Sequence, residues 1–127
     1  MRKSWQPYAR HILDAIAKID RITKAGNIED DEILYDATLR NLQTLCEASQ
    51  RLPTDIKARY SDIPWTEISG FRNILVHNYL GDIDPLTVSA VVRSHLPALA
   101  KTVQEMLRTQ EDSAASDAAD GHTGDSE

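Results

Sequence analysis

A single cysteine, Cys46, stands in the whole chain, so no internal disulfide can form and no thiolate-rich metal site can be built. Leu42, Leu45 and Ala48 surround it in sequence, which predicts a small buried hydrophobe rather than a reactive thiol. A reducing cytoplasm is the simplest home for such a composition. Glycine and proline number five each in 127 residues, and aromatics make up 6%. So few turn formers and β-favouring rings point to an all-α domain. Apolar runs fall well short of a bilayer span, and Met1-Arg2-Lys3-Ser4-Trp5 lacks the apolar segment of a signal peptide. The chain is therefore expected to have no membrane partner. It also lacks a glycine-rich phosphate loop, an internal repeat and histidines at metal-binding spacing, so neither a metal nor another cofactor is expected.

A shortage of positive charge is the remaining deficit, with a formal net charge of −6. Its distribution matters more than its size. Six of the twenty acids lie between Glu111 and Glu127, while every Lys and Arg lies at or before Arg108, leaving 14 of each sign in the body. A neutral body can carry a local basic groove, so an RNA partner is not excluded. The acidic, Ala- and Ser-rich end has no apolar period and reads as a disordered tail over 111–127, with the folded domain at 1–110.

Within the body the apolar residues recur at helical spacing. Tyr8, Ile12, Ala15, Ile19 and Ile22 predict a first helix from Trp5 to Lys24, closed by Gly26 as a C′ residue. The run Glu29-Asp30-Asp31-Glu32 suits the positive end of a second helix, which continues to about Leu52. Its apolar face, including Tyr35, Leu39, Leu42 and Cys46, is wider than one neighbour would cover, and such a face can serve the chain's own core or a second copy of the chain. A short helix capped by Thr54 follows, then one begun by Pro64, then a last one opened by Asp84-Pro85 and expected to kink at Pro97, which lies inside it.

The Pro64 helix departs from generic composition. Ile68, Phe71 and Leu75 form its core stripe, with Arg72 at the flank and Asn73 and His77 nearly opposite. Arg offers a permanent charged fork for phosphate, and His moves a proton near neutrality. Asn73, one turn before His77, could fix the imidazole tautomer, and the Tyr79 phenol could stack a base or donate to phosphate. Together they could cleave RNA by attack of a 2′-OH on the adjacent phosphate. Yet Arg72 and His77 sit roughly 140° apart on an ideal helix. Either the helix loosens there, or the groove lies between helices approaching from different sides, as a symmetric dimer would arrange. The plain reading, a core helix with a polar outer face, stays open on spacing alone.

Arg72-Asn73-Ile74-Leu75-Val76-His77-Asn78-Tyr79 resembles the R-N-x-x-x-H-x-Y pattern of HepT-like proteins of the HEPN superfamily. The likeness runs from the first helix to about Leu107. It includes Leu45-Cys46-Glu47-Ala48, similar to the family's I-G-E-A, and Ile63-Pro64-Trp65 and Ile83-Asp84 on either side of the motif. Cys46 replaces the usual Gly, an aromatic near Val88 is missing, and the acidic tail is not a family feature. The resemblance implies a homodimeric HEPN-like bundle of four to five helices, the toxin of a toxin–antitoxin pair. Arg72 and His77 would be the catalytic pair of a metal-independent ribonuclease acting on tRNA or mRNA, supported by Asn73 and Glu47. The implied partner is a minimal nucleotidyltransferase antitoxin that adds AMP to Tyr79. The alternative is a non-catalytic helical subunit that helps a nucleotidyltransferase bind nucleotide or substrate; a purely structural dimer is a third.

Overall fold

The computed structural model describes residues 4–77 and 83–119, as backbone alone at 76, 77 and 110–119. Five helices follow one another: α1 (Gln6–Ala25), α2 (Glu32–Gln50), α3 (Thr54–Ala58), α4 (Trp65–His77) and α5 (Pro85–Ala119). No strand occurs among the described residues, so the fold is all-α as the composition implies. No helix there is long and apolar enough to cross a membrane. α2 is the central element, packing against both α1 and α4, while α5 packs against α1.

The core follows the predicted stripes. Ile12 and Ile19 of α1, Leu42 and Cys46 of α2, Leu75 of α4 and Val88 and Val103 of α5 are almost wholly buried. Each such aliphatic side chain contributes roughly 1.5–3 kcal/mol relative to exposure. The wide apolar face of α2 is used within the chain: Tyr35, Leu39, Leu42, Leu45 and Cys46 are all buried against its own neighbours. Its buried hydroxyls are satisfied locally, Thr38 donating to the Leu34 carbonyl and Ser49 to that of Leu45, at 2.8 and 2.9 Å.

Helix ends differ from the sequence reading in instructive ways. Gly26 follows α1, but with φ 170° its backbone is extended, not left-handed. It serves close approach instead, since a Cβ there would lie 2.9 Å from Leu34 Cδ1. α2 begins at Glu32, later than the acidic run suggests, because the Asp31 carboxylate accepts the amides of Ile33 and Leu34 at 2.9 and 3.2 Å. Thr54 is the first residue of α3 and Pro53 holds the cap position, with no side-chain cap bond. α5 runs through Pro97 and on to Ala119, past the boundary expected at residue 110. Alanines at 114, 115, 118 and 119 favour extension of a helix already nucleated. Residues 120–127 of the expected tail lie outside the described residues.

Two ties position α4. At its start, the Trp65 indole Nε1 donates to the carbonyls of Lys57 and Tyr60, at 3.2 and 3.1 Å, clipping it to α3. Past its end, the Tyr35 hydroxyl of α2 donates to the Ile83 carbonyl, and Asp84 then caps α5 through the Leu86 amide at 3.2 Å. An apolar cavity of about 290 Å³ remains where α2, α4 and α5 meet, walled by Ile68, Phe71, Leu96 and Leu99 and floored by Cys46.

Candidate active site on the motif helix

Burial of Leu75, with Ile68 and Phe71 partly buried beside it, turns the core stripe of α4 inward and fixes the azimuth of every other residue on that helix. Arg72 is thereby brought against α2. Its Nη2 lies 3.4 Å from Glu47 Oε2, with side-chain exposures of 33% and 46%. Charge-assisted N–H···O bonds usually measure about 2.7–2.9 Å and are strongest when bidentate. This contact is longer and single, so Glu47 orients the guanidinium without saturating it. Arg72 Nε is buried and has no acceptor among the described residues. The same Glu47 oxygen accepts from Gln43 Nε2 at 3.3 Å, one turn earlier on α2. A row Gln43–Glu47–Arg72 thus spans the two helices.

The remaining motif residues fall elsewhere. Asn73 is exposed on the outer side of α4, beside the 46%-exposed Ile74. α4 stays α-helical through His77, so the helix does not loosen between positions 72 and 77. At 100° per residue the two positions remain roughly 140° apart, and the described chain does not gather them on one face. The His77 side chain and the whole of Tyr79 lie outside the described residues. Among the other histidines, His11 is exposed with its ring edge-on to Tyr8 at 6.2 Å, and His95 is exposed at the rim of the apolar cavity.

Cys46 lies directly beneath this row. Burial, reinforced by the Glu47 carboxylate and opposed by the Arg72 guanidinium, pushes its thiol from 9.0 up to about 12. It is the inert, buried hydrophobe that its neighbours predict. Two residues that the sequence reading missed, Arg40 and Gln43, line a larger cavity of about 800 Å³ with Tyr35, Leu39, Leu75 and Pro85. A signal for them existed. Positions 40, 43 and 47 fall on one side of α2, a polar strip that flanks its core stripe.

Comparison with known proteins turns on how much of this framework is shared. The family model described as "Ribonuclease HepT-like" matches residues 12–106, from the core of α1 to that of α5. The chain belongs to the HepT-like family. Among curated HepT-like relatives, one of Methanocaldococcus jannaschii named "Gamma-glutamylcyclotransferase and putative RNase" is 34% identical over 111 residues, covering 84% of this chain and 49% of that protein. The chain thus spans about half the length of that relative. A "Putative RNase" of Caldanaerobacter subterraneus subsp. tengcongensis is 32% identical over 111 residues, covering 85% of this chain and 98% of its own. The "Probable ribonuclease HepT" of Thermococcus cleftensis is 32% identical over 102 residues, at 78% and 92% coverage. No solved structure matches the chain.

Proposed function

We propose that this HepT-like chain is the toxin of a toxin–antitoxin pair, a metal-independent endoribonuclease that acts as a homodimer. The observation that carries the reading is the state of Arg72: a guanidinium one-third exposed and held by one long contact to Glu47, so that its exposed edge keeps donor capacity for a phosphate. In the proposed reaction a ribose 2′-OH attacks the adjacent phosphorus while the P–O5′ bond breaks. Arg72 stabilises the charge that builds on the phosphoryl oxygens. His77 moves the proton, with Asn73 one turn away to set its tautomer. Because α4 stays helical through His77, the pair is completed by a second copy around a two-fold axis, where the Arg72 side of one protomer meets the His77 side of the other.

A minimal nucleotidyltransferase is the proposed antitoxin, silencing the enzyme by transferring AMP from ATP to the Tyr79 hydroxyl, which bonds to the α-phosphorus as pyrophosphate leaves. The added phosphodiester carries a negative charge that would compete with the substrate phosphate for Arg72. The test uses the chain expressed with and without the transferase. Arg72→Ala and His77→Ala should each restore growth to cells making the chain alone, and purified unmodified protein should cut RNA in the presence of a chelator. Intact mass should show AMP additions only after co-expression, lost in Tyr79→Phe. Folded Arg72→Ala and His77→Ala proteins that remain as toxic as the parent would refute the catalytic assignment. An unmodified chain that binds the transferase but never turns over RNA would favour the non-catalytic subunit.

A further inference from the structure

The polar face of α2 holds Asp36, Arg40, Gln43 and Glu47 at successive turns, and its Glu47 end meets Arg72. Gln43 belongs to both halves of this arrangement. It donates to Glu47 and also lines the 800 Å³ cavity together with Arg40. Arg40 is exposed and forms no ion pair among the described residues, unlike Arg72. Arg40 and Glu47 are seven residues apart, about 10 Å along the helix axis, a length that a short piece of single-stranded nucleic-acid backbone spans. Past Arg40 the cavity wall turns acidic, with Asp36, Glu32, Asp31, Asp30 and Glu29 in sequence.

On the ribonuclease reading above, we propose that Arg40 and Gln43 form a second substrate subsite, which takes the nucleotide next to the cleaved bond of a single-stranded RNA. Arg40 pairs with that nucleotide's outer phosphate through its planar fork. Gln43, whose amide both donates and accepts, bonds the ribose 2′-OH between the two phosphates and so distinguishes RNA from DNA. The carboxylates beyond Arg40 repel any further phosphate, so the row grips a short stretch and the strand must leave the surface there. Glu47 keeps Gln43 and Arg72 in line, and the arriving scissile phosphate takes over the guanidinium donors that Glu47 leaves free.

Binding separates this subsite from the cleavage reaction. In a His77→Ala background, fluorescence anisotropy measures the affinity of the full chain for short single-stranded RNA and for DNA of the same sequence, across a salt series. Arg40→Ala should weaken RNA binding about threefold to tenfold and reduce the salt slope of log K by about 0.7, the value for one single-strand phosphate contact. Gln43→Ala should narrow the preference for RNA over DNA. Lys18→Ala, which removes the same charge from the exposed side of α1, should do neither. If Arg40→Ala and Lys18→Ala bind RNA alike, or if the chain binds no RNA, the subsite is overturned. Arg40-dependent binding by a parent protein that leaves RNA uncut would instead overturn the ribonuclease reading and keep Arg40 and Gln43 as an RNA-binding site.

Discussion

Cys46 provides a pH-dependent measure of the candidate site. Its thiol is held at about 12 in the folded chain against an ordinary 9.0. Below pH 9 both folded and unfolded chains keep the proton, so stability is unaffected. Between pH 9 and 12 only the unfolded chain releases it, and folding stability falls by about 1.4 kcal/mol per pH unit. At pH 10.5 the loss is about 2 kcal/mol, a large part of the roughly 5–15 kcal/mol typical of a domain. Urea denaturation of the parent and of Cys46→Ala at intervals from pH 8 to 10.5 isolates this term, because tyrosine and lysine titrations occur in both proteins. Cys46→Ala should start less stable, by about 1 kcal/mol for the lost sulfur contacts, and then lose less as pH rises. Native alkylation at pH 8 should lag the denatured rate by about a thousandfold from ionisation alone. Because Glu47 raises and Arg72 lowers the thiol, Glu47→Gln should speed alkylation and Arg72→Ala should slow it. Parallel pH profiles for parent and Cys46→Ala, or a native rate within tenfold of the denatured one, would refute the buried, ion-pair-coupled thiol.

Two further substitutions probe the frame that carries the site. Asp31→Ala removes the acceptor of two amides at the start of α2 and should cost about 1 kcal/mol in urea unfolding, within the usual range for a lost N-cap. Gly26→Ala meets only the tip of Leu34, a side chain able to change rotamer, so the loss should stay near or below about 1 kcal/mol. Gly26→Val should cost clearly more by the same assay, since its branches leave no room for that adjustment.

The inward faces were legible because a stripe such as Ile12, Ala15 and Ile19, or Val88, Leu96, Leu99 and Val103, needs only the period of the helix to declare itself. Arg72 was legible as a chemically unusual residue and Glu47 through the family resemblance, and their pairing became definite once α4 lay on α2. Gln43 and Arg40 share a face with Glu47, but that spacing reads as an ordinary solvated helix surface until the neighbouring elements form a cavity beside it. Helix ends were blurred for a local reason. Gly26 carries the composition of a left-handed cap but is there for Leu34, and four consecutive acids at 29–32 leave the capping one undetermined until the amides of Ile33 and Leu34 point at Asp31. The breadth of the apolar face on α2 left the chain's own core and a second copy both open, and the packing shows that the core uses it.

The close backbone packing of α4 is with α2, and this has a mutational corollary. With its start clipped to α3, the rest of α4 takes its height and rotation chiefly from α2. Trimming Leu42 or Leu45 would therefore shift the guanidinium of Arg72 without touching it, whereas an equal loss from Ile12 or Val103 would weaken the bundle and leave the guanidinium where it is. Two proteins of equal melting temperature, one altered in α2 and one in α1 or α5, should for that reason differ in what they can do.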